Sequence, residues 1–205
     1  LWVVGGFKIY LGGNDELVKA MQQVFSYEGT RKFDVEFMER VYKQKFEVVA
    51  CKYDEVPASV EASIPAGGHL EGNRIGFDAG GSDRKVSAVV NGEVIHSEEV
   101  VWFPKTNEDP EYHYQGILDS FRRAAEKMPS VDAIGVSSAG IYIDNEVRVA
   151  SLFIKVPQDL FDEKVVDMYI RAAKEYGDVP LTVANDGDVT ALAGSMSLKS
   201  GQVLG

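Results

Sequence analysis

The sequence predicts an α/β protein: a mixed sheet with the element order βββαβαβα, preceded by a small α/β segment. Three observations carry that expectation. From Arg74 to Trp102, three β-rich runs follow one another across two tight turn signals. After them, helical and strand patterns alternate twice, the signature of crossover units. Finally, Asp78 with Gly80-Gly81, and Asn185-Asp186 more than a hundred residues later, both stand where a strand runs out.

The elements follow in order. Ile75 to Lys85 reads IGFDAGGSDRK, an apolar strand that enters an acid and a glycine pair. Arg84 to Val90 is β-branched and mostly alternating. Asn91-Gly92 is a strong hairpin signal, and Glu93 to Trp102 alternates again. Asp109-Pro110 starts a helix, Asp as cap and Pro at the first helical position. Ile117, Phe121, Ala124, Ala125 and Met128 give that helix one apolar face. Val131 to Val136 is a fourth strand, closing on the small turn Ser137-Ser138-Ala139-Gly140. Ile141 to Leu152 has strand character around an Asp144-Asn145 turn. Asp162 can cap the next helix, whose face is Val165, Met168, Tyr169, Ala172 and Tyr176. Pro180 to Ala184 is the fifth strand, and Gly187 to Leu198 the last helix.

This order is that of the ribonuclease H-like fold, in which ligands gather at the carboxyl ends of the parallel strands. Asp78, the Ser137–Gly140 turn and Asn185-Asp186 all fall there. An acid at such an end holds or water-bridges a divalent cation, and glycines beside it let backbone N–H groups approach phosphate oxygens. Ser82 adds a hydroxyl donor.

On these residues the chain resembles a known family. Asp78-Ala79-Gly80-Gly81-Ser82 is similar to the first phosphate motif (DxGGT) of the actin-like ATPase superfamily. Asn185 to Ala193, NDGDVTALA, resembles the NDANAAAL stretch of ROK-type sugar kinases, and GVSSAG at 135–140 resembles their GxxxPG segment. The resemblance covers Arg74 onward and implies ATP-dependent phosphoryl transfer to a sugar hydroxyl, with ATP and Mg as cofactors. It implies that Asp186 is the catalytic base, and that Asn185, Ser138 and Gly140 bind the sugar. It places Asp78, Gly80, Gly81, Ser82 and Lys85 against the phosphates, with Asp78 near magnesium, directly or through water. The chain departs from the pattern at Asp83, where an extra carboxylate repels triphosphate unless magnesium, Arg84 or Lys85 compensates. It also has Ala139 for the proline of GxxxPG, and Ser151-Leu152-Phe153 where the family often has Asn and Trp. A non-catalytic sugar-binding or regulatory relative therefore stays open. So does an ATPase of the benzoyl-CoA-reductase-activator or N-acetylglucosamine-kinase type.

The remaining residues set bounds. With 205 residues and 45% hydrophobic content, one sizeable core is expected. A net charge of −11 argues against nucleic acid and anionic membrane as partners. It leaves a small-molecule sugar and ATP as the expected partners and homodimerisation open. One cysteine, Cys51, fits a reducing cytoplasm. The opening LWVVGGFKIYLGG lacks a basic flank and a cleavage pattern, so no secretory leader is expected. Residues 1–73 read as a strand, helices capped by Asn14 and starting at Asp34, a strand from Phe46 to Tyr53, and a linker from Val56 through Pro57, Pro65 and Gly67-Gly68. Neither Gly5-Gly6 nor Gly12-Gly13 has the hydroxyl or acid of a phosphate loop. Residues 74–205 read as the first half of a two-domain kinase, in which the Val203-Leu204-Gly205 run leads toward a second phosphate loop. His69, His96 and His113 lack metal-ligand spacing and are expected to be surface or partly packed residues.

Overall fold

The computed structural model describes residues 1–59, 67–200 and 202; Pro65 of the expected linker and the Val203-Leu204-Gly205 run lie outside the described residues. The chain forms two compact units, Leu1–Ile64 and Pro65–Gly205.

In the first unit, β1 (Lys8–Gly12) pairs in parallel with β2 (Glu47–Cys51), and α1 (Asp15–Val24) and α2 (Lys32–Tyr42) connect them. Asn14 caps α1 as its side chain requires: Oδ1 accepts the backbone N–H groups of Glu16 and Leu17. The residue before α2 is Arg31, so Asp34 lies inside the helix rather than at its start. There it is buried, accepting the Trp2 indole N–H at 2.7 Å and pairing with Arg31. Val35, Met38 and Val41 form the buried face of α2.

The second unit is a five-stranded mixed sheet. β3 (Asn73–Ala79), β4 (Asp83–Val90) and β5 (Glu93–Val101) form the antiparallel meander. The Asn91-Gly92 turn has positive φ at both residues, as a type I′ hairpin demands. α3 (Pro110–Ala125) leads to β6 (Ala133–Ser138), which pairs in parallel with β3. A small hairpin follows, β7 (Ile141–Ile143) and β8 (Glu146–Val149), turning at Asp144 and Asn145, both with positive φ. The next helical region is broken: α4 (Gln158–Leu160), a π-helical turn over Phe161–Val165, and α5 (Met168–Lys174). Asp162 therefore does not cap a helix; it sits in the π turn and accepts a hydrogen bond from Gln158. β9 (Leu181–Asn185) pairs in parallel with β6, and α6 (Asp186–Leu198) follows. The strand order β5-β4-β3-β6-β9 with these directions is the ribonuclease H-like arrangement.

One face of the sheet makes the core. Ile75, Phe77, Val86, Ala88, Ile134, Val136 and Val183 are buried with Ile117 and Phe121 of α3 and Met168, Tyr169 and Ala172 of α5. Because side chains alternate along a strand, the opposite face carries Gly76, Asp78, Gly135 and Ser137, small or polar residues beside α6. No helix among the described residues is long and apolar enough to cross a membrane.

Candidate functional site

β3 delivers Asp78 one residue before its end, and the Gly80-Gly81-Ser82 turn then reverses the chain into β4. The turn closes tightly: a Cβ on Gly80 would lie 2.6 Å from the Asp83 carbonyl oxygen, so only glycine fits. Trp102, buried just after β5, fastens it. Its indole N–H donates to the Gly80 carbonyl at 2.8 Å, and its backbone N–H donates to the Ser82 carbonyl at 3.1 Å. Both bonds end on carbonyl oxygens of the turn, so Trp102 fixes its backbone without using its N–H groups.

The opposing wall comes from the end of β9. Asn185 caps α6 with its Oδ1 on the Gly187 N–H at 2.8 Å, and Asp186 is the first helical residue. Asp78 pairs with Ser137 across β3–β6, and Ser137 with Ala184 across β6–β9. The two acids therefore rise from one sheet rim, about two interstrand spacings, roughly 10 Å, apart in backbone. Both line a cleft of about 560 Å³ whose floor includes Gly80, Gly81 and Ser137.

Asp78, Gly80, Gly81 and Asp186 are thus brought together. The other expected residues are not in the lining. Asp83 accepts hydrogen bonds from both Ser82 (2.9 Å) and Lys85 (2.9 Å), and these hold its carboxyl below the usual carboxylate range, Lys85 contributing most. Lys85 is thus the compensating charge for Asp83. Arg84 does not take part: it is buried against α3, bonded to Asp119, Ser120 and the Gly116 carbonyl. Ser138 is 1% exposed, and its hydroxyl donates to the Ala79 carbonyl. Gly140 is glycine for packing, since a Cβ there would lie 2.6 Å from the Val149 carbonyl oxygen. Its own carbonyl accepts the Asn185 amide at 2.9 Å, so both ends of the Asn185 side chain are occupied within the fold.

Lys105, Ser137 and Ser151 line the cleft without having been among the expected site residues. Lys105 stands in the short Pro104–Thr106 turn, and no local motif marks it. Beneath the cleft, burial pushes the Tyr142 hydroxyl up to about 12, the charge of Asp186 acting in the same direction. His113, expected to be a surface or partly packed residue, is wholly buried. Its Nδ1 lies 3.0 Å from the Asp109 carbonyl, and its Nε2 lies 2.9 Å from that of Pro104 and 3.2 Å from that of Leu152. It joins the turn bearing Lys105 to the turn bearing Ser151.

No cluster of three or more metal-ligating side chains exists among the described residues. Magnesium keeps several waters and uses one or two carboxylates plus substrate phosphates. Asp78, a single carboxylate in the cleft lining, is a donor of the kind that ion uses in company with a phosphate chain, and not part of a cage made by protein alone.

No protein-family model matches the sequence, and no curated protein matches it. Solved structures do. A ROK hexokinase from Thermus thermophilus shares 20% identity over 60% of this chain, with a TM-score of 0.45, and this chain spans 38% of it. An inorganic polyphosphate/ATP-glucomannokinase from Arthrobacter sp. strain KM shares 21% over 64%, at 0.46, with 50% of the kinase covered. A glucokinase from Parabacteroides distasonis shares 17% over 63%, at 0.49, with 35% of it covered. These ROK and sugar-kinase structures are what the chain is similar to, and it spans half or less of each of them.

Proposed function

We propose that this chain supplies the first domain of an ATP-dependent sugar kinase of ROK type, transferring a phosphoryl group to a sugar hydroxyl. One observation carries the proposal: Asp78, the Gly80-Gly81 turn and Asp186 line a single cleft. In the proposed reaction the sugar oxygen bonds to the γ-phosphorus and the bond to the leaving ADP oxygen breaks. The hydroxyl proton passes to Asp186, which stands exposed at the start of α6. The turn's N–H groups face the phosphate oxygens, and Asp78 would hold magnesium, which supplies charge neutralisation when bound. Ser151 and Ser137 are placed to meet sugar or phosphate hydroxyls and oxygens.

The test is a coupled ADP-release screen of the full-length protein against hexoses and amino sugars, run with Asp186→Asn. The expected outcome is turnover on at least one sugar, falling by about 10²- to 10⁴-fold in the variant with sugar affinity kept. Turnover unchanged in Asp186→Asn removes this residue from the mechanism.

A second reading is a sugar-binding or regulatory relative. The engagement of both ends of Asn185 and the burial of Ser138 favour it, because the side chains expected to hold the sugar serve the fold instead. Sugar binding with no ADP release on any acceptor would select it.

A further inference from the structure

Lys105 has no role in the motifs and no partner that explains its position. Its side chain crosses the glycine turn: the Cβ of a residue at 81 would lie 2.7 Å from both Cε and Nζ of Lys105. It lines the same cleft as Asp78 and Asp186. Yet among the described residues it forms no ion pair or hydrogen bond through its ammonium, in contrast to Lys85, which is bound to Asp83 at 2.9 Å.

The backbone that carries it is fixed from several sides. Trp102 ties the preceding residues to Gly80 and Ser82. The Phe103 N–H donates to the Tyr112 hydroxyl at 2.9 Å, and the buried Pro104 offers its carbonyl to His113. Thr106 closes the turn on the Phe103 carbonyl at 3.1 Å. A flexible cation on a rigid mount, against the glycine turn and in one cleft with two carboxylates, lacks only an anion. A phosphate oxygen above Gly81 would meet backbone N–H from one side and an ammonium from the other.

We propose that Lys105 binds the phosphate chain of the nucleotide, in the position that the sequence pattern assigns to Lys85. This rests on the phosphoryl-transfer reading and adds to it the residue that carries the positive charge. A charge-assisted bond of this kind sets the size of the expected effect.

The experiment is isothermal titration of the chain with magnesium tripolyphosphate and with MgATP, for wild type, Lys105→Met, Lys105→Arg and Lys174→Met. Lys174, at the end of α5, controls for the loss of one positive charge away from the cleft. Lys105→Met is expected to weaken both ligands by about 10- to 100-fold and by the same factor, with an unchanged melting temperature. Lys105→Arg and Lys174→Met are expected to stay within about threefold of wild type. Wild-type binding that Lys105→Met leaves intact overturns the assignment of Lys105 alone. A wild-type chain that binds neither ligand overturns the phosphate site and Lys105 with it.

Discussion

Asp119→Asn is expected to destabilise the larger unit by about 2 kcal/mol at neutral pH. Asp119 sits among three arginines: Arg84 at 2.9 Å, Arg123 at 2.8 Å and Arg122 at 2.6 Å. Arg84 matters most, because its side chain is only 10% exposed and it anchors the start of β4, next to the phosphate turn, onto α3. Removing one partner of a buried pair costs about 3–5 kcal/mol. Two features lower that figure here. Asp119 is 21% exposed, and Arg84 keeps the Gly116 carbonyl at 2.7 Å and the Ser120 hydroxyl at 2.6 Å. The midpoint of thermal unfolding should fall by about 4–8 °C.

The sign of the pH dependence follows from the same contacts. Burial works to raise the Asp119 carboxyl, but hydrogen bonds from Arg84 and Arg123 outweigh it and hold the group below its ordinary value. Its stabilisation is therefore present above the unfolded value of about 3.9 and is lost as pH falls through the lower folded value. Urea titrations from pH 7 to pH 3, read by Trp102 emission in a Trp2→Phe background, measure the stability gap that Asp119→Asn opens; the chain has two tryptophans, so this background isolates the larger unit. The gap should be widest at neutral pH and close on acidification. A gap under about 0.5 kcal/mol at pH 7, within ordinary surface substitutions, or one that widens toward acid, refutes the argument.

Gly81→Val sets a branched side chain against the end of Lys105 on the phosphate turn. MgATP affinity should drop by about tenfold or more while sugar affinity and melting temperature hold; equal weakening of both ligands would mean misfolding instead. Tyr142, pushed up to about 12 by burial, should stay protonated where ordinary tyrosines ionise. Because the unfolded phenol ionises near pH 10 and the folded one does not, stability should hold below about pH 10 and fall as pH rises toward 12. In an absorbance titration, Tyr142→Phe should remove no tyrosine that ionises below about pH 11, and loss of one there would contradict the buried environment.

Local chemistry was enough for much of this protein. Asn91-Gly92 and Asp144-Asn145 dictate hairpins because their residues tolerate positive φ, and Asn14 and Asp109 start helices because a short side chain can reach orphan N–H groups. The alternation of Ile75, Phe77, Val86 and Ala88 sets the buried face, and the order of elements then sets the sheet. Asp78 and Asp186 were legible as partners because parallel strands of one sheet end on one rim. What the sequence left open was which nearby polar groups remain available. Lys85 and Arg84 are adjacent cations, yet the pleat sends one to Asp83 at the surface and the other into the core against α3. Asn185 carries a ligand-like amide that the fold consumes at the α6 cap and the Gly140 carbonyl. Lys105 reaches the glycine turn only because Trp102 and His113 bring a distant segment there, and His113 is buried for the same reason. Apart from the Lys85–Asp83 pair and the Asn185 cap on Gly187, these pairings join residues far apart in the chain, so packing decides them.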